Sequence, residues 1–245
     1  MKSSIPGIAM LLAGAVMCSA SAQAADSAIT TSASVALTSD YLFRGVSQTS
    51  NNAAVQGAMT INHASGAYLS FWASSIASAA GGQELDSLLG YTGKSGDMGY
   101  DLGVMRYNYP GANKASNGFN PDYNEIYASI SGLGGKLGLN YSPDYYQQSD
   151  AYLYVYAGYG ADVGGVTVSG SLGLNRFDSP AMMTRALALN PANSNDSYMD
   201  YKLAVAKTVG GFGIEGAIIG SDIDEVDCDG GLCDGRFVVT ISRSL

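Results

Sequence analysis

The sequence predicts an all-β protein, a transmembrane antiparallel up-and-down β-barrel of about twelve strands, on three observations. From residue 29 onward, polar and apolar side chains alternate in stretches of about ten residues. Glycine, asparagine, aspartate or serine breaks separate these stretches, and none lengthens into the 18 apolar residues that a transmembrane helix needs. Because side chains on a strand point alternately to its two faces, each stretch indicates a strand with one polar and one apolar face.

The alternation places each strand in order along the chain. In the eighth, for example, Leu153 and Val155 alternate with Tyr154. The predicted strands span residues 32–46, 53–63, 67–76, 83–93, 99–109, 122–132, 135–146, 150–161, 166–177, 198–208, 212–221 and 235–244. The breaks between them alternate short and long, as periplasmic turns and extracellular loops do in membrane barrels. An even strand number would put both ends of the barrel on the short-turn side.

The first 24 residues predict a cleaved secretory signal peptide. Lys2 supplies the positive start, residues 8–17 form an apolar stretch too short to span a bilayer, and residues 22–24 read Ala-Gln-Ala. The expected organisation is therefore a signal peptide at 1–24 and one barrel domain at 25–245.

Composition limits the function classes. The formal net charge of −9 argues against nucleic-acid binding, and only 13% of residues are charged, which suits a barrel whose outer face lies in lipid. The acidic balance favours cations in a pore, although acidic loops that keep the surface soluble explain it equally well. The sequence carries no glycine-rich phosphate loop, nucleotide fingerprint or zinc cluster, so no cofactor, metal site or catalytic residue is expected.

Two cysteines follow the signal, Cys228 and Cys233, with four residues between them in an acidic, glycine-containing loop. An exported chain meets an oxidising compartment, so a local disulfide is expected. It closes too few residues to anchor the fold and would stiffen one loop tip. A calcium site in this loop lacks the EF-hand spacing, which favours a solvated acidic loop.

Several blocks resemble one family. Residues 39–49 read Ser-Asp-Tyr-Leu-Phe-Arg-Gly-Val-Ser-Gln-Thr, residues 66–74 read Gly-Ala-Tyr-Leu-Ser-Phe-Trp-Ala-Ser, and residues 197–202 read Ser-Tyr-Met-Asp-Tyr-Lys. These blocks are similar to those of the TorF porin family. The resemblance covers nearly the whole mature chain and implies an outer-membrane β-barrel that forms a pore, with an undefined solute.

Parity predicts which side chains face the lumen. In the first strand Tyr41 and Phe43 fall on the lipid side, and Arg44 falls on the lumen side. Strict alternation points Arg106 outward unless its strand carries a bulge. The predicted pore-lining residues, whose charges would form a ring close to the long loops, are Asp40, Arg44, Trp72, Glu84, Asp86, Glu125, Tyr127, Tyr154, Asp200 and Lys202. Paired charges in a barrel can set selectivity or simply brace the wall, and the sequence leaves both open.

The expected function is a narrow outer-membrane channel for passive diffusion of small hydrophilic solutes, in the outer membrane of a Gram-negative-type cell and in contact with lipid and lipopolysaccharide. One alternative is a closed barrel with a structural or surface-interaction role. A second is an outer-membrane enzyme, but the single histidine, His63, falls beside a short turn, away from the outer rim where a Ser–His hydrolase would act.

Overall fold

The computed structural model describes residues 28–112 and 118–245, so the predicted signal peptide lies outside the described residues. Twelve antiparallel strands close into a barrel, which confirms the predicted fold class. The strands are β1 (Ile29–Thr38), β2 (Ala54–His63), β3 (Ala67–Ser75), β4 (Gln83–Ser95), β5 (Met98–Asn108), β6 (Tyr123–Gly132), β7 (Gly135–Ser142), β8 (Tyr152–Asp162), β9 (Thr167–Phe177), β10 (Ser197–Val209), β11 (Phe212–Ser221) and β12 (Arg236–Ser244).

Each strand pairs with its neighbours in sequence, and β1 closes the barrel by pairing with β12 from Ser34–Ser244 to Thr38–Thr240. Short turns join the strands at one end, called here the turn end, and longer segments join them at the other, the loop end. Leu133 and Gly134 make one such turn with φ of 53° and 83°. Positive φ at both positions gives the type I′ geometry that matches the twist of paired strands.

The outer face of the barrel is apolar. In β8 the outward Leu153, Val155 and Tyr159 are exposed, whereas the inward Tyr152 and Tyr154 are buried. Exposed tyrosines ring the outer face near both ends, Tyr91 and Tyr100 at the turn end and Tyr141 and Tyr201 at the loop end. An apolar band between aromatic girdles is the surface that a barrel presents to a bilayer.

The first strand is shorter than predicted, and this is the main correction to the strand assignment. It ends at Thr38 instead of residue 46, and the chain then turns into the barrel. Tyr41, predicted to face lipid, is 2% exposed and packs edge-on against Trp72 at 5.2 Å between ring centroids. Phe43, also predicted to face lipid, packs against Tyr107 inside the barrel.

The loop between β9 and β10 contains a helix, α1 (Pro180–Leu187), that the sequence patterning did not predict. The Ser179 side chain accepts a hydrogen bond from the backbone N–H of Met182, which caps the helix start, and Met183 is buried against the aromatic interior. Short 3₁₀ turns occur at Ser78–Ala80 and Asp229–Gly231. Within the described ranges, no helix is long and apolar enough to cross a bilayer.

Candidate functional site

The segment between β1 and β2, residues 39–53, folds into the lumen and is called here the plug hairpin. Its two short strands, Leu42–Phe43 and Val46–Ser47, pair with each other. Arg44 and Gly45 form the two-residue turn at its tip, with φ of 49° and 82°. A Cβ on Gly45 would lie 2.6 Å from the carbonyl oxygen of Gly220 on β11, so the close approach of tip and wall requires glycine.

Arg44 therefore lies at a loop tip, and its predicted position on the first strand is wrong. Its guanidinium donates two hydrogen bonds of 2.8 Å to the two carboxylate oxygens of Glu125. Glu125 lies on β6, which is five places around the closed sheet from β1 and four from β2. The Arg44 side chain therefore reaches a wall strand far from both strands that the hairpin joins. The side chains of Arg44 and Glu125 are 1% and 0% exposed.

Further bonds fix both partners of this ion pair. Glu125 also accepts hydrogen bonds from the Asn140 amide at 2.9 Å and from the Tyr107 hydroxyl at 3.2 Å. The Tyr198 hydroxyl donates to the backbone carbonyl of Arg44 at 3.0 Å. A buried ion pair needs such additional hydrogen bonds to offset the cost of removing both charges from water.

Aromatic rings fill the lumen around the hairpin. The Arg44 guanidinium carbon lies 4.4 Å from the ring centroid of Tyr154, 4.6 Å from that of Phe43 and 5.0 Å from that of Tyr152. The buried aromatic residues of this cluster are Tyr41, Tyr107, Tyr109, Tyr123, Tyr145, Tyr152, Tyr154, Tyr156, Phe177 and Tyr198. The loop half of the lumen is thus a packed core, entered by loop as well as wall residues.

The other predicted carboxylates of the loop half are inside the barrel too. Glu84 accepts a hydrogen bond from Tyr109, and Asp200 accepts from Asn175 at 2.8 Å and Tyr154 at 3.2 Å. Asp86 pairs in register with Trp72 on the neighbouring strand. The charges here are predominantly acidic, and the assignment of these residues as pore-lining groups stays a prediction.

The base of the plug hairpin is tied to the last long loop, which contains the predicted disulfide. Asp40 accepts from Arg236 of β12 at 2.9 Å and from the Ser47 hydroxyl at 2.7 Å. The Ser47 N–H donates to the Leu232 carbonyl at 2.8 Å, between the two cysteines in sequence. The disulfide Cys228–Cys233 is confirmed, with a Cα–Cα distance of 6.0 Å. It therefore stiffens a loop that holds the hairpin down.

The turn half of the lumen holds a separate polar set. The Tyr68 hydroxyl donates to Asp101 at 2.8 Å and contacts the Tyr127 hydroxyl. Lys202 does not join the ring of charges near the loops, because its ammonium donates to Glu215 at 2.7 Å. Asp101 and Glu215 were not among the predicted residues, although alternation around Leu102 and Ile214 already points both inward.

Two other candidate residues face away from the lumen. The β5 pairings continue without a bulge, so Arg106 points outward and binds Asp122 at 3.0 Å. His63 lies exposed at the turn end, where its Nδ1 contacts the Ser65 hydroxyl at 2.8 Å. Across residues 28–112 and 118–245, no group of three or more His, Cys, Asp or Glu side chains is arranged to hold a metal ion.

Comparison with solved structures shows which folds are similar. The KdgM porin aligns with a TM-score of 0.51 at 9% identity, covering 88% of this chain and 99% of its own. The NanC porin aligns with a TM-score of 0.47 at 8% identity, covering 87% and 98%. No curated protein sequence matches this chain significantly. The first likeness supports the barrel fold at low sequence identity.

The family comparison covers nearly the whole chain. The TorF name is not among its matches, so that resemblance stays a prediction. The model of a family described as a bacterial protein of unknown function, Gcw_chp, matches residues 22–245. Because this match includes every strand of the barrel, the chain belongs to the Gcw_chp family.

Proposed function

We propose that the protein is an outer-membrane channel for the passive diffusion of small hydrophilic solutes in a Gram-negative-type cell. A cleaved signal peptide would direct the chain to that membrane. One observation carries the proposal: a closed twelve-strand barrel with an apolar, aromatic-girdled outer face encloses a lumen lined by polar and charged side chains. Such a wall excludes lipid from its interior, and its outer face contacts lipid and lipopolysaccharide.

The lumen favours cations over anions. The inward carboxylates Glu84, Asp86, Glu125 and Asp200 lie in its loop half, where Arg44 balances one of them. An excess of carboxylates in a narrow passage attracts cations and repels anions. In this proposal the four carboxylates act only through their charge, so no catalytic step is assigned to any of them.

A second candidate function has an observation in its favour. The plug hairpin crosses the lumen and packs against strands on all sides, so a permanently closed barrel with a structural or surface-interaction role would have the same static form. Conduction would require the plug hairpin to move out of the lumen at least transiently.

Single-channel recording of the refolded mature protein in a planar bilayer, with a salt gradient, distinguishes the two. Discrete conductance steps with a cation-selective reversal potential are expected for the channel. Arg44→Ala should raise conductance and cation preference more than Lys136→Ala, a lysine near a turn, because only the first removes the contact that seats the hairpin. A folded barrel that stays silent in both wild type and Arg44→Ala would support the closed barrel instead.

A further inference from the structure

The guanidinium of Arg44 lies in a site with the chemistry of a receptor for a free organic cation. Glu125 meets it with two parallel hydrogen bonds, and the faces of Tyr152 and Tyr154 cover it at 5.0 and 4.4 Å. We call Glu125, Tyr152 and Tyr154 the Arg44 cage. A carboxylate fork plus aromatic faces is the combination that proteins use for guanidinium and alkylammonium groups.

The cage is built by the wall and does not depend on the hairpin for its shape. Asn140 and Tyr107 orient Glu125, Asn175 accepts from the Tyr152 hydroxyl, and Asp200 accepts from the Tyr154 hydroxyl. These groups come from six consecutive strands, β5 to β10, of one continuous sheet. The cage would therefore persist with the hairpin withdrawn.

The occupant, in contrast, belongs to the plug hairpin and not to the wall. Arg44 adopts φ of 49°, a left-handed conformation that is unfavourable for a residue with a Cβ. Its two-residue turn is the tip of a segment bound through its base to the last loop. Contacts with Tyr198, Trp72 and Tyr107 also hold this segment against the wall. The hairpin thus presents a charged side chain to the cage at a conformational cost.

The electrostatics select a cation. With Arg44 withdrawn, Glu125 and the neighbouring Asp200 would leave the cage negatively charged, and Asp200 lies at the hairpin tip itself, its Cβ 3.0 Å from where a Cβ on Gly45 would be. Aromatic faces favour weakly hydrated organic cations, guanidinium above all, over small metal ions.

We propose that the Arg44 cage is a binding site for small solutes bearing a guanidinium or alkylammonium group, and that Arg44 occupies it as an internal substitute until such a solute displaces the hairpin tip. The inference rests on the proposed channel function, because displacement would both bind the solute and open the lumen.

The test uses methylguanidinium and its neutral isostere methylurea on the full barrel in detergent. Calorimetric titration of Arg44→Ala should show methylguanidinium binding about tenfold tighter or more than the double variant Arg44→Ala/Glu125→Gln, the loss expected for a charge-assisted bidentate contact. Methylurea should not bind. Absence of binding to Arg44→Ala, or equal binding by both variants, would overturn the site and leave the Arg44–Glu125 pair as a brace.

Wild-type protein provides a measurement that does not depend on any variant folding. Methylguanidinium should accelerate amide hydrogen exchange in residues 42–47, while equal concentrations of methylurea and sodium should not; unchanged exchange would also overturn the proposal. Binding without conductance in bilayers would overturn the channel and keep the site. Conductance without binding would overturn the site and keep the channel.

Discussion

The two halves of the lumen are built on the same alternation but are filled in opposite ways. In the loop half, residues such as Tyr152 and Glu125 are 1% exposed, and the plug hairpin lies among them. In the turn half, Tyr68, Asp101 and Tyr127 are only partly buried. The difference comes from what enters the barrel, since the strands themselves continue from one half to the other. The loop half of the lumen is therefore more tightly filled because a loop segment, the plug hairpin, enters it.

Glycines let inward rings lie flat against the wall, and this occurs in the loop half too, where a Cβ on Gly173 would overlap Tyr154. A Cβ on Gly90 would overlap the rings of Tyr68 and Tyr127, and one on Gly138 would overlap Tyr156. Each tyrosine thus lies along the wall over a neighbouring glycine, where a larger residue would push the ring toward the axis. In the loop half the rings also pack against the hairpin, whereas Tyr68 and Tyr127 of the turn half stay partly exposed.

The largest expected effect that tests this contrast is that of Glu125→Ala. It leaves the Arg44 charge buried without its partner, which costs about 3–5 kcal/mol if nothing moves. The hairpin can relieve that cost by swinging out, so amide hydrogen exchange in residues 42–47 should accelerate strongly, with a smaller loss of barrel stability.

Glu215→Ala is the matched control in the turn half. Its partner Lys202 has a side chain that is 23% exposed and regains water, so the hairpin should stay protected. Equal exchange in the two variants would mean that the Arg44–Glu125 pair does not hold the hairpin.

A second prediction tests the fit between the hairpin tip and the wall. Gly45→Ala meets both a left-handed φ and the carbonyl of Gly220, whereas Gly210→Ala at a turn meets a left-handed φ of 59° with open space around it. The turn variant should lose about 1–2 kcal/mol of folding free energy and keep wild-type conductance. The tip variant should conduct more than wild type in the planar bilayer. If its conductance stays at the wild-type level, the hairpin is not the closing element.

Most of the fold could be predicted from the sequence because it repeats one local rule. Alternation identified all twelve barrel strands, and Arg106 points outward as strict parity required. The rule failed at Tyr41 and Phe43, since apolar alternation is the same in a barrel strand and in a hairpin packed inside the barrel. Gly45 after Arg44 was the local signal of a two-residue turn.

The pairing of the site residues was beyond the sequence for a different reason. Arg44 and Glu125 are 81 positions apart, and nothing local indicates that a loop will fold into the lumen and reach a distant wall strand. The inward orientation of Glu125 followed from parity, but its partner depends on how the hairpin folds.

A third prediction concerns ion preference in the accessible turn half. Lys202→Ala removes an inward positive charge and leaves Glu215 unbalanced, so the reversal potential should shift toward cations. Lys207→Ala makes the same change in net charge on the exposed outer face of the same strand and should leave the reversal potential unchanged. Equal shifts would mean that net charge of the whole protein, and not the lumen, sets selectivity.

The smallest expected effect comes from an arginine-to-alanine substitution on the outer face of the wall. Arg106 also pairs with a carboxylate of the loop end, Asp122, at 3.0 Å, but its side chain is 39% exposed. Water and ions screen such a pair, so Arg106→Ala should cost no more than about 1 kcal/mol in urea unfolding and leave conductance and reversal potential at wild-type values. If Arg106→Ala instead changed conduction as much as Arg44→Ala, a charge near the barrel mouth would suffice, and seating of the hairpin would not be what controls the lumen. Arg44 lies at the tip of the plug hairpin inside the lumen, whereas Arg106 lies on the outer face of the wall, so this pair of variants isolates the contribution of the plug.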